Sequence, residues 1–268
     1  MPHLRRAAIC CALLCTSVAP AIAAEPDSKN QSEVLIPGGS YTPNFSRQSS
    51  KAGTPARPQE VRVEPFLLDR YPVTNAQYRE FLDAHPEWRK SRVKAIFADK
   101  NYLSRWDGDL SWGQRHLSDE PVTSVSWFAA NAYCEDKGGA LPTTDQWEYA
   151  LWDQGRHQDE VKSKSLAWYA VPSTVEIAPV TATAGNGYGV HGMVGLIWEW
   201  TLDLESAQQG SDTRNGASSE KSLYCGAASL GAKDPSDYAA FMRYSFRSCL
   251  KASFTTRDLG FRCAKSIS

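Results

Sequence analysis

Three stretches of this chain repeat apolar residues at helical spacing, and each opens on a residue suited to close a first helical turn. In Thr74-Asn75-Ala76-Gln77 a hydroxyl and an amide can satisfy backbone N–H groups that the turn leaves without partners. Tyr78, Phe81 and Leu82 then share one face, and Pro86 limits the helix. Ser126 caps a second helix with Trp127, Ala130 and Cys134 inward, ended by Gly138-Gly139. Thr143 and Gln146 make another reciprocal cap, with Trp147, Ala150 and Leu151 facing the core. Val34-Leu35-Ile36 and Val61-Arg62-Val63 read as strands, the first closed by a turn at Pro37-Gly38-Gly39. Residues 43–60 and 205–221 are polar and read as exposed loops. Three short helices among short strands and long connections predict an α+β domain with an unusually large loop fraction.

The N-terminus changes the compartment expected for this domain. Arg5 and Arg6 precede an apolar run over 7–18 that is too short to span a bilayer, and Ala21-Ile22-Ala23 has the small-residue pattern of a cleavage site. The expected organisation is a signal peptide over 1–23, a polar tail over 24–33 and a domain over 34–265, in a periplasmic or secreted bacterial protein. An uncleaved anchor is the alternative, against which the polar stretch Glu25 to Ser32 speaks. The formal net charge is −1, and cleavage would remove two arginines and no acid. That balance argues against nucleic acid or an anionic membrane as partner. Of seven cysteines, Cys10, Cys11 and Cys15 fall in the leader, leaving Cys134, Cys225, Cys249 and Cys263. An even count in an oxidising compartment favours disulfides, and four cysteines allow three pairings.

Several linked motifs carry a family resemblance. They are Phe66-Leu67-Leu68-Asp69-Arg70-Tyr71-Pro72-Val73-Thr74-Asn75, Pro121 to Trp127, Ala132-Tyr133-Cys134 and Ala140-Leu141-Pro142-Thr143-Thr144-Asp145-Gln146-Trp147-Glu148-Tyr149-Ala150. Gly187 to Thr201, with Trp198-Glu199-Trp200, and Leu259-Gly260-Phe261-Arg262-Cys263-Ala264 complete the set. In this order they resemble the formylglycine-generating enzyme family, the sulfatase-modifying factors. The resemblance implies a single domain of C-type-lectin-related fold, with little regular secondary structure and a disulfide between Cys134 and Cys263. Closing so long a loop stabilises by about 5 kcal/mol in the chain-entropy model. A narrower resemblance, to accessory proteins found beside copper-containing nitrite reductases, rests on Ala84-His85-Pro86-Glu87-Trp88-Arg89, Phe97-Ala98-Asp99 and Asp234 to Tyr244.

The family's reaction oxidises a substrate cysteine with oxygen and uses Cu(I) held by two thiolates, which are soft ligands suited to that ion. The resemblance places those cysteines at Ala232 and Asp237, neither of which is a thiolate ligand. Cys225 and Cys249 remain as a second disulfide or as a relocated redox or copper-binding pair, the one route by which copper enters this reading. No other cofactor is expected. Calcium is doubtful, because the family's asparagine ligands are replaced by Gly192 and Leu196 and only Glu199 survives. Glu199 bonded to local backbone is the bland role; a catalytic carboxylate is the sharper one. Asp234, Asp237, Arg243 and Arg247 form a charged stretch near the implied substrate groove, read either as solvated surface or ion pairing, or as a peptide- or anion-binding site. Trp106 and Trp112 read as a recognition surface, whereas core packing accounts for at least one of Trp198 and Trp200, which alternate around Glu199. The mature chain's His85, His116, His157 and His191 are scattered, without the spacing of an iron site.

Two functional expectations follow. The first is an exported accessory protein that binds a protein or peptide partner in the periplasm, a copper enzyme among the candidates, and assists a metalloenzyme or denitrification system. The alternative is an oxidase of altered chemistry using Cys225 and Cys249, or Glu199. Formylglycine generation itself is disfavoured.

Overall fold

A computed structural model describes residues 32–44, 59–172, 176–203 and 237–267. The signal peptide, the loop over 205–221, Cys225 and Ala232 lie outside the described residues, as does nearly all of the 24–33 tail and most of 43–60.

The alternation of Val34 and Ile36 with polar or exposed neighbours makes β1 (Glu33–Ile36) a half-buried strand, and Phe66 and Leu68 do the same for β4 (Phe66–Asp69). These two pair antiparallel, with Leu35 opposite Leu67. On its other side β4 pairs antiparallel with β7 (Ala264–Ser266), so the sheet order β1-β4-β7 joins the first and last elements of the domain. Between β1 and β2 (Gly39–Tyr41) the chain turns at Gly38, whose φ of +72° and contact with the Val63 and Pro65 backbone leave no space for a side chain. The short strand β2 pairs with β3 (Val61–Val63).

Helices α1 (Asn75–Ala84), α2 (Trp127–Asp136) and α3 (Thr144–Trp152) start at Thr74, Ser126 and Thr143, as their caps predict. Both capping boxes are complete. Two further helices, α4 (Gln158–Tyr169) and α5 (Tyr238–Cys249), depart from the expected set of three. The start of α4 carries no side-chain cap and follows His157 in a left-handed conformation; Ser165 is its one buried residue, so it shows no apolar stripe. In α5 the buried positions are Ala239, Ala240, Arg243, Tyr244, Arg247 and Ser248. That spacing is helical, but arginines occupy positions where apolar residues signal a helix.

The largest core cluster gathers Tyr78, Phe81 and Leu82 of α1 with Tyr133 of α2, Trp106 and Phe261. Tyr133 meets Phe261 edge-on at 5.3 Å, which docks the chain's C-terminal segment on α2. The disulfide implied by the resemblance, Cys134–Cys263, lies in this cluster and closes a separation of 129 residues. Near it, the two-residue strands β5 (Trp198–Glu199) and β6 (Leu259–Gly260) run parallel. A side chain at Gly260 would strike the Val122 carbonyl, so a glycine lets β6 lie this deep. Among the described residues no helix is long and apolar enough to cross a membrane.

Candidate functional site

Alternation along β5 sends Glu199 inward, where it meets Arg262 from the segment between β6 and β7. Arg262 Nε donates to Glu199 Oε2 at 2.7 Å and Nη2 to Oε1 at 2.7 Å, with both side chains fully buried. Trp147 Nε1 of α3 adds a third bond to Oε2 at 2.8 Å. The remaining guanidinium hydrogens reach the carbonyls of Asp69, Arg70 and His191. Glu199 is therefore held by two side chains from distant parts of the chain, not by local backbone as expected. A carboxylate already matched in charge and saturated by three donors is poorly placed to coordinate a cation or take a proton from a substrate. Calcium does not fit here. Gly192 lies against the Leu196 side chain, and neither supplies the side-chain oxygen the family's site would need.

Over the face of the Trp147 ring the network continues. The Arg247 guanidinium lies 4.3 Å from the Trp147 ring centroid, a stacking contact that suits a planar cation. Its Nη1 donates to Glu148 Oε1 at 2.6 Å. Arg243 Nε and Nη2 grip the two oxygens of the same carboxylate at 3.1 and 2.9 Å. Burial alone would raise the Glu148 carboxyl, but the two arginines outweigh it and hold its pKa down at about 2. Burial likewise opposes charge on Arg243, and Glu148 more than offsets this, raising its pKa. The phenol of Tyr169 is raised by burial. Arg243 and Glu148 line a cavity of about 320 Å³ together with Tyr41, Trp152, Lys162 and Tyr244.

Of the charged stretch, Arg243 and Arg247 are thus engaged in ion pairing, one of the expected readings, but buried on Glu148 and not solvated, while Asp234 lies outside the described residues. Asp237 also lines the cavity, and its Oδ1 accepts from Ala240 N at 2.9 Å to cap α5. The two tryptophans assigned to recognition lie elsewhere. Trp106 is only 3 % exposed, packs in the main core and donates its indole N–H to Asn75 Oδ1 at 3.1 Å. Trp112 is half-buried against the same core, edge-on to Trp106 at 6.0 Å and under the Arg79 guanidinium at 5.0 Å. Trp106 is therefore corrected from a recognition residue to a core residue, its exposure having been inferred from the polar residues around it.

Cys249, at the C-terminus of α5, is disulfide-bonded, and its partner lies outside the described residues. All three described cysteines are thus oxidised, and no group of three or more His, Cys, Asp or Glu among the described residues could hold a metal. A two-thiolate copper site does not fit the residues described. His85 bonds to Asp136 and His191 to the Thr183 carbonyl.

Glu148 was not singled out from the sequence as a functional residue, although it lies in one of the framework motifs. The available signal was the i, i+4 spacing of Arg243 and Arg247, which places two cations on one helix face and calls for a buried anion opposite. Trp198 was also richer than expected. It stacks between Tyr169 of α4 at 5.2 Å and Phe246 of α5 at 4.3 Å, which fixes both unforeseen helices against β5.

A family model, the sulfatase-modifying factor enzyme 1-like domain, matches residues 18–267. The chain is 27 % identical to the formylglycine-generating enzyme of Bos taurus, over 86 % of this chain and 74 % of that protein. It is 29 % identical to the inactive Cα-formylglycine-generating enzyme 2 of Bos taurus, over 69 % of this chain and 75 % of the relative. Among solved structures, Treponema denticola variable protein 1 superposes with a TM-score of 0.52 at 15 % identity, covering 87 % of this chain and 94 % of that one. By its ordered motifs, its disulfide and this match along nearly its whole length, the chain belongs to the sulfatase-modifying factor enzyme 1-like domain family.

Proposed function

We propose that this protein is an exported, partner-binding member of its family that does not generate formylglycine. Its partner is a periplasmic protein or peptide, and the denitrification system, with its copper-containing nitrite reductase, is the setting that the narrower sequence resemblance favours. The observation that carries the reading is Asp237. The residue standing where the resemblance puts the second copper thiolate is the N-cap of α5, its carboxylate committed to the helix backbone. Three features support it. Glu199, the surviving calcium-site carboxylate, is locked to Arg262. The described cysteines are all in disulfides. A relative of comparable identity is itself described as inactive.

The test is a thiol count and copper titration on the folded, processed protein, with a cysteine-containing peptide assayed for aldehyde by mass spectrometry. The expected result is no free thiol, no stoichiometric copper and unchanged peptide. Stoichiometric copper that is lost in Cys225→Ser, or aldehyde formation, would establish the oxidase alternative instead.

A further inference from the structure

Two turns and one helix present large apolar side chains on one stretch of surface. Phe97 N bonds to Lys94 O at 2.8 Å and Phe254 N to Lys251 O at 2.9 Å, each closing a turn that carries a lysine at one end and a phenylalanine at the other. The turns are tied together, because Asp99 N bonds to Ser253 O at 2.9 Å and Trp127 N to Ala252 O at 2.9 Å. Asp99 also receives the Thr255 backbone N–H and hydroxyl. Ile96 is 72 % exposed, and Phe97 and Phe254 are each 36 % exposed.

Phe97 is held in place by other rings, and Phe254 lies under the Lys251 ammonium. Phe97 meets Phe128 of α2 edge-on at 5.4 Å and lies 5.8 Å from Trp88, while Phe128 meets Trp127 edge-on at 5.6 Å. Aromatic groups fixed before binding lose little entropy on association, which is the property of residues that dominate protein interfaces. The exposed charges on the two turns are cationic, and the neighbouring Glu87, beside Trp88, lies 3.6 Å from His85 Nδ1. Lys94, Lys100 and Lys251 are exposed, and the Lys251 ammonium lies 5.3 Å from the Phe254 ring centroid. Asp99 is spent on Thr255. Glu135, farther along α2, accepts a bond from Asn131.

We propose that the Ile96–Phe97–Phe254 face, rimmed by Lys94, Lys100 and Lys251, is the surface on which this protein docks an acidic partner protein. The partner would offer an aliphatic or aromatic side chain flanked by aspartate or glutamate. The inference rests on the partner-binding reading above and names the surface that would serve it. It is separate from the cavity between α3 and α5. A protein partner is favoured over an anionic lipid surface because Phe97 is packed against neighbouring rings, not free to insert.

The test is selection of a random phage-displayed peptide library on the purified folded protein. Selected peptides are then measured against two variants, Lys94→Glu/Lys100→Glu/Lys251→Glu and Ile96→Ser/Phe254→Ser. Because these side chains are exposed, both variants should keep the parent's thermal midpoint, which is measured first. The expected outcome is an acidic-apolar consensus whose affinity falls at least about tenfold in each variant and weakens with added salt. Absence of a consensus, or peptides that bind the variants as well as the parent, overturns the proposal. Cosedimentation with phosphatidylglycerol vesicles that the variants abolish would assign the face to lipid. A concentration-dependent dimer that they abolish would assign it to a second copy of the chain. Failure here leaves the thiol and copper result untouched, so the two readings fall separately.

Discussion

Arg262 and Glu199 form a two-pronged ion pair whose side chains have no solvent exposure, although 63 residues separate them in sequence. Removing one member strands the other charge in a dry interior, which costs about 3–5 kcal/mol where buried pairs have been broken. Arg262→Met should therefore lower the free energy of unfolding by about that amount, read from urea denaturation. Arg262→Met combined with Glu199→Leu should recover much of the loss, since it leaves no unpaired charge. If Glu199→Gln instead kept full stability and abolished an activity, Glu199 would be a reacting group and its structural assignment would be wrong.

Glu148 and Asp69 should give the stability profile opposite slopes in acid. Glu148 is held at about 2, below the ordinary 4.5, so its contribution is fully present above pH 4.5 and is lost as pH falls toward 2. Burial raises the Asp69 carboxyl from 3.8 to about 6, against the Cys263 N–H bond and Arg262. Its contribution is full below pH 3.8 and is lost as pH rises through about 6. Unfolding free energies measured between pH 2.5 and 7 in Glu148→Gln should lack the acid-limb loss. That variant should also be weaker at neutral pH by about 3–5 kcal/mol, since two buried arginines lose their anion. Asp69→Asn should flatten the slope from pH 4 to 6, and an unchanged slope would count against the burial of that carboxyl.

The parts of the fold legible in the sequence were those in which local chemistry and tertiary role agree. Thr74, Ser126 and Thr143 cap helices whose apolar faces enter the core, so caps and periodicity pointed the same way. In α5 they diverged: the inward face carries Arg243 and Arg247, and their meaning depends on Glu148, 95 and 99 residues away. The start of α4 has no cap and the helix has hardly any buried face, so its place is set by Trp198 stacking on Tyr169. The site divided in the same way. The replacement of thiolates by Ala232 and Asp237 could be read directly from residue types, but Asp237's role as a cap required the helix that follows it.

Trp106 gives the clearest means of separating core from recognition surface. Its ring packs edge-on to Tyr78 at 6.3 Å, and its N–H has a buried acceptor in Asn75. Trp106→Ala should cost about 3–5 kcal/mol of stability through the cavity it opens. Trp106→Phe should cost about 1–3 kcal/mol, by leaving the Asn75 oxygen without its donor. Neither change should alter peptide affinity measured at a temperature where the variant is fully folded. Loss of binding at unchanged stability would restore Trp106 to the recognition surface.

The Cys134–Cys263 bridge should govern both the extent of stability and its response to reductant. It links α2 to the residue before β7 across a separation of 129, so its removal releases a large loop in the unfolded chain, worth about 5 kcal/mol in the entropic model. Cys134→Ala/Cys263→Ala should lose about that much in denaturant titrations. Both sulfurs belong to nearly inaccessible residues in the main core, so reductant alone should not reach them while the domain is folded. Alkylation followed by mass spectrometry should find Cys134 and Cys263 protected in dithiothreitol without urea, and modified together once urea opens the domain. Modification of these two cysteines in the folded protein, at a rate independent of urea, would show that the bridge is exposed and does not anchor the core.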